Sequence, residues 1–238
     1  MFERKKYKSF AKKQLAGRWS IPVLVTLVIS IIHAIFAIPD VLQLARSGYI
    51  SALFNGDYLG AVDAAETSNS ASLISSLIDM VVSAILEVAS LSVYIKMSRS
   101  PEPVTFSDFI EGFNNWARAA LGILWQFLWV FLWSLLFIIP GIIKAIAYSQ
   151  IFYIIAEYKD VSVTKAMRIS IEITKGHKWD LFVLSLSFLG WSILSLFTLG
   201  ILQYWLTPYM NMTYVNAYHA LMKEALEDGR IKPEDFTE

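Results

Sequence analysis

The sequence contains no cysteine and few charged residues. None of its 238 residues is cysteine, and only 17% are charged. The absence of cysteine excludes disulfide bonds, thiol catalysis and cysteine-ligated metal sites. An average soluble domain carries about 25% charged residues, so this chain is poor in charge. Its formal net charge is zero, which gives no indication of a nucleic-acid partner.

Hydrophobic residues are abundant instead, at 56% of the chain. A soluble fold of this size would leave large apolar patches exposed, whereas a bilayer solvates such side chains. A spanning helix needs about 20 mostly apolar residues to cross about 30 Å of hydrocarbon. We therefore predict an all-α, polytopic transmembrane helix bundle with about six spans, at residues 21–38, 72–95, 117–139, 142–158, 181–199 and 201–221.

The six spans are expected to form three hairpins, and short breaks predict that two of these hairpins are tight. Only Pro140 and Gly141 separate the third and fourth spans, and only Gly200 separates the fifth and sixth. Proline cannot continue helical hydrogen bonding, and glycine accepts turn dihedral angles. We therefore expect tight turns at both positions.

Lysine and arginine placement predicts the orientation. Residues 1–20 contain seven of them, 96–118 three, 159–178 five and 222–238 three, which leaves Arg46 and Lys144. Such residues are concentrated on the cytoplasmic side. We predict a single domain in the cell membrane, with both termini in the cytoplasm. Its main segments outside the spans are a basic N-terminus (1–20), an outer loop (39–71), a cytoplasmic amphipathic segment (159–180) and a cytoplasmic tail (222–238).

A weak threefold repeat precedes the odd-numbered spans. A glycine is followed by a tryptophan at Gly17 and Trp19, at Gly112 and Trp116, and at Gly176 and Trp179. An amphipathic segment precedes each pair, with Thr105 and Ser162 as predicted helix starts. Such segments are typical of interfacial helices with their apolar side in the membrane. The favoured interpretation is that these are ordinary membrane-surface anchors. The alternative hypothesis is three repeated units, each an interfacial helix followed by a transmembrane hairpin.

The third amphipathic segment carries cations opposite its apolar face. Lys165, Arg168 and Lys175 share this polar side. We expect them to contact anionic lipid headgroups, at about 1 kcal/mol each near the surface.

Several sequence motifs carry a family resemblance. They are Leu-Phe-Ile-Ile-Pro-Gly from Leu136, Leu-Ser-Phe-Leu-Gly-Trp from Leu186, Thr198-Leu199-Gly200 and the run from Trp205 to Tyr209, after a Lys-rich start that leads to Gly17-Arg18-Trp19. Together they resemble a bacterial family of integral membrane proteins catalogued as domain of unknown function nine-seven-five. The resemblance covers nearly the whole chain. It implies a bacterial inner-membrane protein and supplies neither an activity nor catalytic residues.

Four ionisable residues stand out within the predicted spans, namely His33, Asp79, Glu87 and Lys144. Such residues cost at least about 2.5 kcal/mol near a helix centre, so each is a candidate site. They predict a polar pocket or ion path open to the outside, with Glu87 at its floor. The structural alternative is an Asp79–Lys144 ion pair, with His33 and Glu87 hydrogen-bonded between helices.

The sixth predicted span is interrupted by polar and kinking residues, including Pro208, Tyr209, Asn211 and Asn216. Broken polar helices often line transport sites. A kinked helix whose polar groups are satisfied by neighbouring side chains is the alternative.

No enzyme motif accompanies these residues. The sequence lacks a phosphate-binding glycine loop, a Gly-x-Ser-x-Gly motif and a His-Glu-x-x-His motif. Its three histidines are far apart, so we predict no metal and no cofactor. We predict a non-enzymatic protein that handles a small or amphipathic molecule, by transport, flipping or envelope protection. The alternatives are an accessory protein that binds a membrane partner and, third, an intramembrane enzyme.

Overall fold

The computed structural model of the protein describes residues 2–68 and 72–236. Regular structure in these residues is helical, which confirms the all-α prediction. The α-helices are α1 (Arg4–Leu15), α2 (Ser20–Arg46), α3 (Tyr49–Phe54), α4 (Tyr58–Ser68), α5 (Ser72–Arg99), α6 (Phe106–Gly112), α7 (Trp116–Leu136), α8 (Ile138–Tyr148), α9 (Ile151–Glu157), α10 (Val163–Ile173), α11 (Lys178–Phe197) and α12 (Gln203–Glu227).

Five helical segments within the described residues are long and apolar enough to cross a membrane. They are Ser20–Arg46, Ser75–Arg99, Phe106–Leu136, Ile138–Glu157 and Lys178–Phe197. The predicted span 201–221 lies within α12, which is not one of the five. Asn211, Thr213 and Asn216 lower the mean hydropathy of this helix. The predicted count of six spans is therefore not confirmed.

The chain divides into two compact units. The first comprises Met1–Leu27 and Ala84–Glu238, and the second comprises Val28–Ser83. Both boundaries fall inside long helices, one in α2 and the other in α5. The second unit includes most of the predicted outer loop, which contains helices α3 and α4 in addition to the end of α2.

The predicted outer loop is largely helical because α2 continues through Pro39 to Arg46. Asn55 and Gly56 then form the turn between α3 and α4, and Gly56 has a φ of 73°, where glycine is favoured. The remaining loop residues, 69–71, lie outside the described residues. The prediction of an outer loop from 39 to 71 stays a prediction, and its described part is largely helical.

The turn between the third and fourth predicted spans lies earlier than expected. Helix α7 ends at Leu136, Phe137 is extended (φ −159°, ψ 149°), and α8 begins at Ile138. Pro140 stands in the first turn of α8, where a missing N–H costs no helical hydrogen bond. A Cβ on Gly141 would lie 2.1 Å from the Ser134 Oγ. Gly141 thus permits close packing of α7 on α8 and does not form the turn.

The fourth predicted span is broken. Helix α8 ends at Tyr148, and α9 begins at Ile151 after Ser149 and Gln150. The Ser170 Oγ of α10 donates to the Ala147 carbonyl at 2.8 Å, and the Gln150 N–H donates to the same Ser170 Oγ at 3.2 Å. Because α10 satisfies backbone groups at the break, the break is a packed feature of the fold.

The turn between α11 and α12 lies at Gly200 as predicted. Residues between Phe197 and Gln203 form turns, and Gly200 has a φ of 81°. The predicted helix starts at Thr105 and Ser162 are also confirmed. The Thr105 N–H donates to Asp108 Oδ2 at 2.7 Å, and the Lys165 N–H donates to Ser162 Oγ at 3.4 Å.

The short helices precede α2, α7 and α11 in the order that the repeat predicts. Two of them pack on protein through their apolar faces, however. Helix α10 buries Ala166, Met167 and Ile173 among its neighbouring helices, and α1 packs along α12. The expectation that these faces rest in lipid is wrong for α1 and α10, because neighbouring helices cover them. For α6, where Ile110 is 53% exposed, it stays a prediction.

Three arginines of the first unit stabilise helix ends. Each guanidinium donates to main-chain carbonyls at or just beyond the C-terminus of another helix, where carbonyls lack helical partners. The contacts are Arg18 to Met97 (3.2 Å), Arg118 to Tyr158 (2.7 Å) and Ile155 (3.4 Å), and Arg230 to Glu172 (2.6 Å) and Lys175 (3.3 Å). These predicted cytoplasmic cations therefore also hold the helices together.

Candidate functional site

A cavity of about 280 Å³ lies in the first unit at the break between α8 and α9. Residues from α5, α8, α9, α11 and α12 line it, and its polar members include Glu87, Ser149, Gln150, Tyr153, Asn211 and Tyr214. The helix break places Ser149 and Gln150 on this wall. Sequence reasoning selected Glu87 and Asn211, and the structure brings these two residues to one cavity.

Gln150 presents an unused acceptor. The residue is buried, with 3% of its surface exposed. Its Nε2 donates to Ser149 Oγ at 2.8 Å, while its Oε1 accepts no hydrogen bond from the described residues. A buried acceptor without a donor costs about 1–3 kcal/mol. The Gln150 amide oxygen is therefore suited to accept a hydrogen bond from a ligand or water.

Glu87 is the charged group of this lining. Its side chain is exposed, whereas the adjacent Leu86 and Val88 are buried. Its carboxylate forms neither an ion pair nor a hydrogen bond with any side chain in the described part of the chain. An unpaired carboxylate inside a span is costly. The cavity thus joins a carboxylate to amide and phenol groups, an arrangement that suits a cation or a ligand with several donors.

Asn211 is held in place by α5. It is hydrogen-bonded to the Tyr94 hydroxyl, which also bonds Thr26. Tyr94 has only 1% of its surface exposed. Asn211 thus has a buried neighbour on α5 at the cavity wall.

The other polar residues of α12 have different surroundings. The Asn216 Nδ2 donates to Gln14 Oε1 at 2.7 Å, so Asn216 connects α12 to α1. Pro208 is buried, and the Tyr209 ring lies 5.6 Å from the Phe188 ring. These contacts are those expected if Pro208, Tyr209 and Asn216 belong to a helix whose polar groups are satisfied by neighbouring side chains.

His33 and Asp79 line a second cavity, of about 590 Å³, in the second unit. The His33 Nε2 lies 3.1 Å from Ser83 Oγ. The same cavity is lined by Asp40 and Ser75, and the Ser75 Oγ donates to Asp40 Oδ1 at 3.3 Å. Sequence reasoning did not select Asp40 or Ser75. Asp40 lies seven residues after His33, and Ser75 lies four residues before Asp79. These spacings place each pair on one face of its helix, which was the available signal.

Lys144 lies over an aromatic ring. Its Nζ is 4.5 Å from the centroid of the Trp133 ring, within the range of a cation–π interaction. The predicted Asp79–Lys144 ion pair stays a prediction, as does a joint role of the four ionisable residues.

Sequence reasoning did not select several of the polar lining residues, which include Ser149, Gln150, Tyr153 and Ser185. Gln150 stands in a predicted apolar span, and Ser149 belongs to a row of small residues with Gly141 and Ala145 that favours helix packing. The glutamine inside that span was the available signal. The helix break that exposes these groups had no glycine or proline to mark it.

The five candidate spans define a multi-pass membrane protein. The family model described as "Protein of unknown function (DUF975)" matches residues 1–147 and 123–225. The chain therefore belongs to this family, as the resemblance implied. No curated protein and no solved structure matches the chain.

Proposed function

We propose that this protein is a non-enzymatic membrane protein that binds and moves a small, donor-rich or cationic molecule through the Glu87 cavity. The observation that carries the proposal is the exposed, unpaired Glu87 carboxylate beside the unused Gln150 acceptor. The cavity, about 280 Å³, is slightly smaller than the range of about 300–1,000 Å³ for small-molecule pockets, which suits a small solute. A broken helix that lines the cavity is also typical of transport sites.

The topology that we propose has six spans, with α12 as the sixth and both termini in the cytoplasm of a bacterial cell. Helix α12 contains 25 residues, which at about 1.5 Å per residue exceed the hydrocarbon thickness. Many of its side chains are buried, including Met212, Thr213 and Tyr218. Polar residues are tolerated in a span that is enclosed by protein, which supports this assignment. Lys165, Arg168 and Lys175 would then face anionic headgroups.

Cysteine labelling tests this topology, and the cysteine-free sequence gives a clean background. Cysteines replace exposed residues: Ser51→Cys on the proposed outer side, and Ser9→Cys and Thr164→Cys on the proposed cytoplasmic side. We expect an impermeant maleimide to label only Ser51→Cys on intact cells and all three variants after lysis. Labelling of Thr164→Cys from outside would contradict the six-span arrangement.

Water access to the cavity tests the functional proposal. We expect Ser185→Cys, which lines the cavity, to react with a charged methanethiosulfonate, while its lipid-facing neighbour Leu186→Cys does not. The cysteine thiolate attacks the reagent's sulfenyl sulfur and displaces methanesulfinate, and a thiolate is rare in an apolar environment because burial disfavours the charged form. The rates of modification in proteoliposomes provide the measurement.

Equal, negligible reactivity of both variants would argue for a dry, packed wall. That result would favour an accessory protein with structural polar groups. A ligand that fills the cavity should slow the modification of Ser185→Cys alone, which makes the same variant a screen for candidate molecules.

A further inference from the structure

Three cations form a stripe along α1. Arg4, Lys8 and Lys12 are spaced four residues apart and therefore share one helix face. None of them forms an ion pair with a carboxylate in residues 2–68 or 72–236. Burial, followed by the charges of Arg4 and Lys12, lowers the pKa of Lys8 below its ordinary value. The stripe thus holds positive charge that the described carboxylates leave unbalanced.

The stripe lies against α11 and α12, which are also in the first unit. The Lys8 Nζ donates to the Ser187 carbonyl at 3.3 Å and lies 4.0 Å from the Phe188 ring centroid. The Lys12 Nζ lies 5.7 Å from the Tyr209 ring centroid. Ser187 is about 14 Å along α11 from its first residue, at about 1.5 Å per residue. Because α11 is a candidate span, these cations require water or an anion beside it.

An apolar groove of about 370 Å³ opens next to Lys12. Its other lining residues are Trp19, Trp191, Leu202, Trp205, Leu206 and Tyr209. Trp191 and Trp205 are 52% and 49% exposed. Indole rings combine a large apolar area with an N–H donor and are favoured where hydrocarbon meets headgroups. We call this surface the Lys12 groove.

We propose that the Lys12 groove binds an anionic phospholipid, with its phosphate at Lys12 and an acyl chain along Trp191 and Trp205. The charge of the stripe selects the headgroup, and the tryptophan wall contacts the chain. A zwitterionic lipid offers the same chain but no net negative charge. Selection between the two therefore depends on Lys8 and Lys12. This site is separate from the Glu87 cavity and holds whether or not that cavity carries a solute.

Brominated lipids test the proposal because bromine quenches tryptophan fluorescence on contact. The protein is placed in nanodiscs of phosphatidylcholine that contain a minor fraction of either brominated phosphatidylglycerol or brominated phosphatidylcholine. We expect stronger quenching by phosphatidylglycerol. The double variant Lys8→Gln/Lys12→Gln should reduce quenching by phosphatidylglycerol to the level seen with phosphatidylcholine. The double variant Trp191→Phe/Trp205→Phe should also remove the difference in quenching between the two lipids.

Lys6→Gln is the matched control. It removes one positive charge from the same helix, where the double variant removes two, but Lys6 pairs with Glu3 at 3.2 Å and does not line the groove. We expect it to retain the excess quenching. Equal quenching of the native protein by both lipids would overturn the proposal. The proposal would also be overturned if the excess quenching by phosphatidylglycerol persisted in the tryptophan double variant. It would equally be overturned if Lys6→Gln removed this excess as fully as the lysine double variant does. Circular dichroism verifies that each variant is folded.

Discussion

Glu87→Gln should abolish the function of the protein while leaving its level in the membrane unchanged. Glutamine keeps the shape and hydrogen-bonding capacity of the side chain but cannot bind a cation by charge or take part in a protonation cycle. Glu87 has no ion-pair partner in the described residues, so the substitution leaves no cation stranded. We expect the stability to be unchanged or higher, because the neutral amide removes the cost of an unpaired carboxylate inside a span.

A deletion strain is first screened against envelope-active compounds to find a phenotype. The measurement is whether each variant restores the native phenotype to this strain. Protein level is followed by immunoblot. Glu111→Gln is the matched control, because Glu111 is exposed on α6 and does not line the cavity. It should complement fully. Full complementation by Glu87→Gln as well would show that this carboxylate is not a functional group.

Gly112→Ala should destabilise the protein strongly, because α6 and α5 meet there without room for a methyl group. A Cβ at position 112 would lie 2.5 Å from the Cα and 2.8 Å from the carbonyl oxygen of Ala89. Both are backbone atoms, so no side-chain rotation relieves the clash. Overpacking of this kind costs about 1–3 kcal/mol. We expect a lower midpoint of thermal unfolding in detergent and a lower protein level.

Gly190→Ala provides the control for the intrinsic effect of the substitution. Gly190 is inside α11, and a Cβ there would meet no atom within 4 Å. Alanine is favoured over glycine in a helix by about 1 kcal/mol, so this variant should be as stable as the native protein or more stable. Equal unfolding midpoints for the two variants would contradict the close approach of α6 to α5.

Turns and caps were predictable where a local residue specifies them. Gly200 and Gly56 adopt positive φ values that favour glycine, and Thr105 and Ser162 begin helices as their side chains predict. Pro140 misled the prediction because proline is acceptable in the first turn of a helix as well as in a turn. Only the structure shows that Gly141 lets α8 pack closely against Ser134 of α7.

The sequence by itself determined the all-α class, the membrane location of the chain and its family, because long apolar runs and ordered motifs are local properties. It also selected Glu87 and Asn211, since polar groups in apolar segments are conspicuous. Only the tertiary structure decided that these two share a cavity with Gln150, and that α1 and α10 pack on protein. Those outcomes depend on residues far apart in the chain: Ser170 satisfies the break near Gln150, and Asn216 bonds Gln14. No local pattern encodes such contacts, because they form only when the helices assemble.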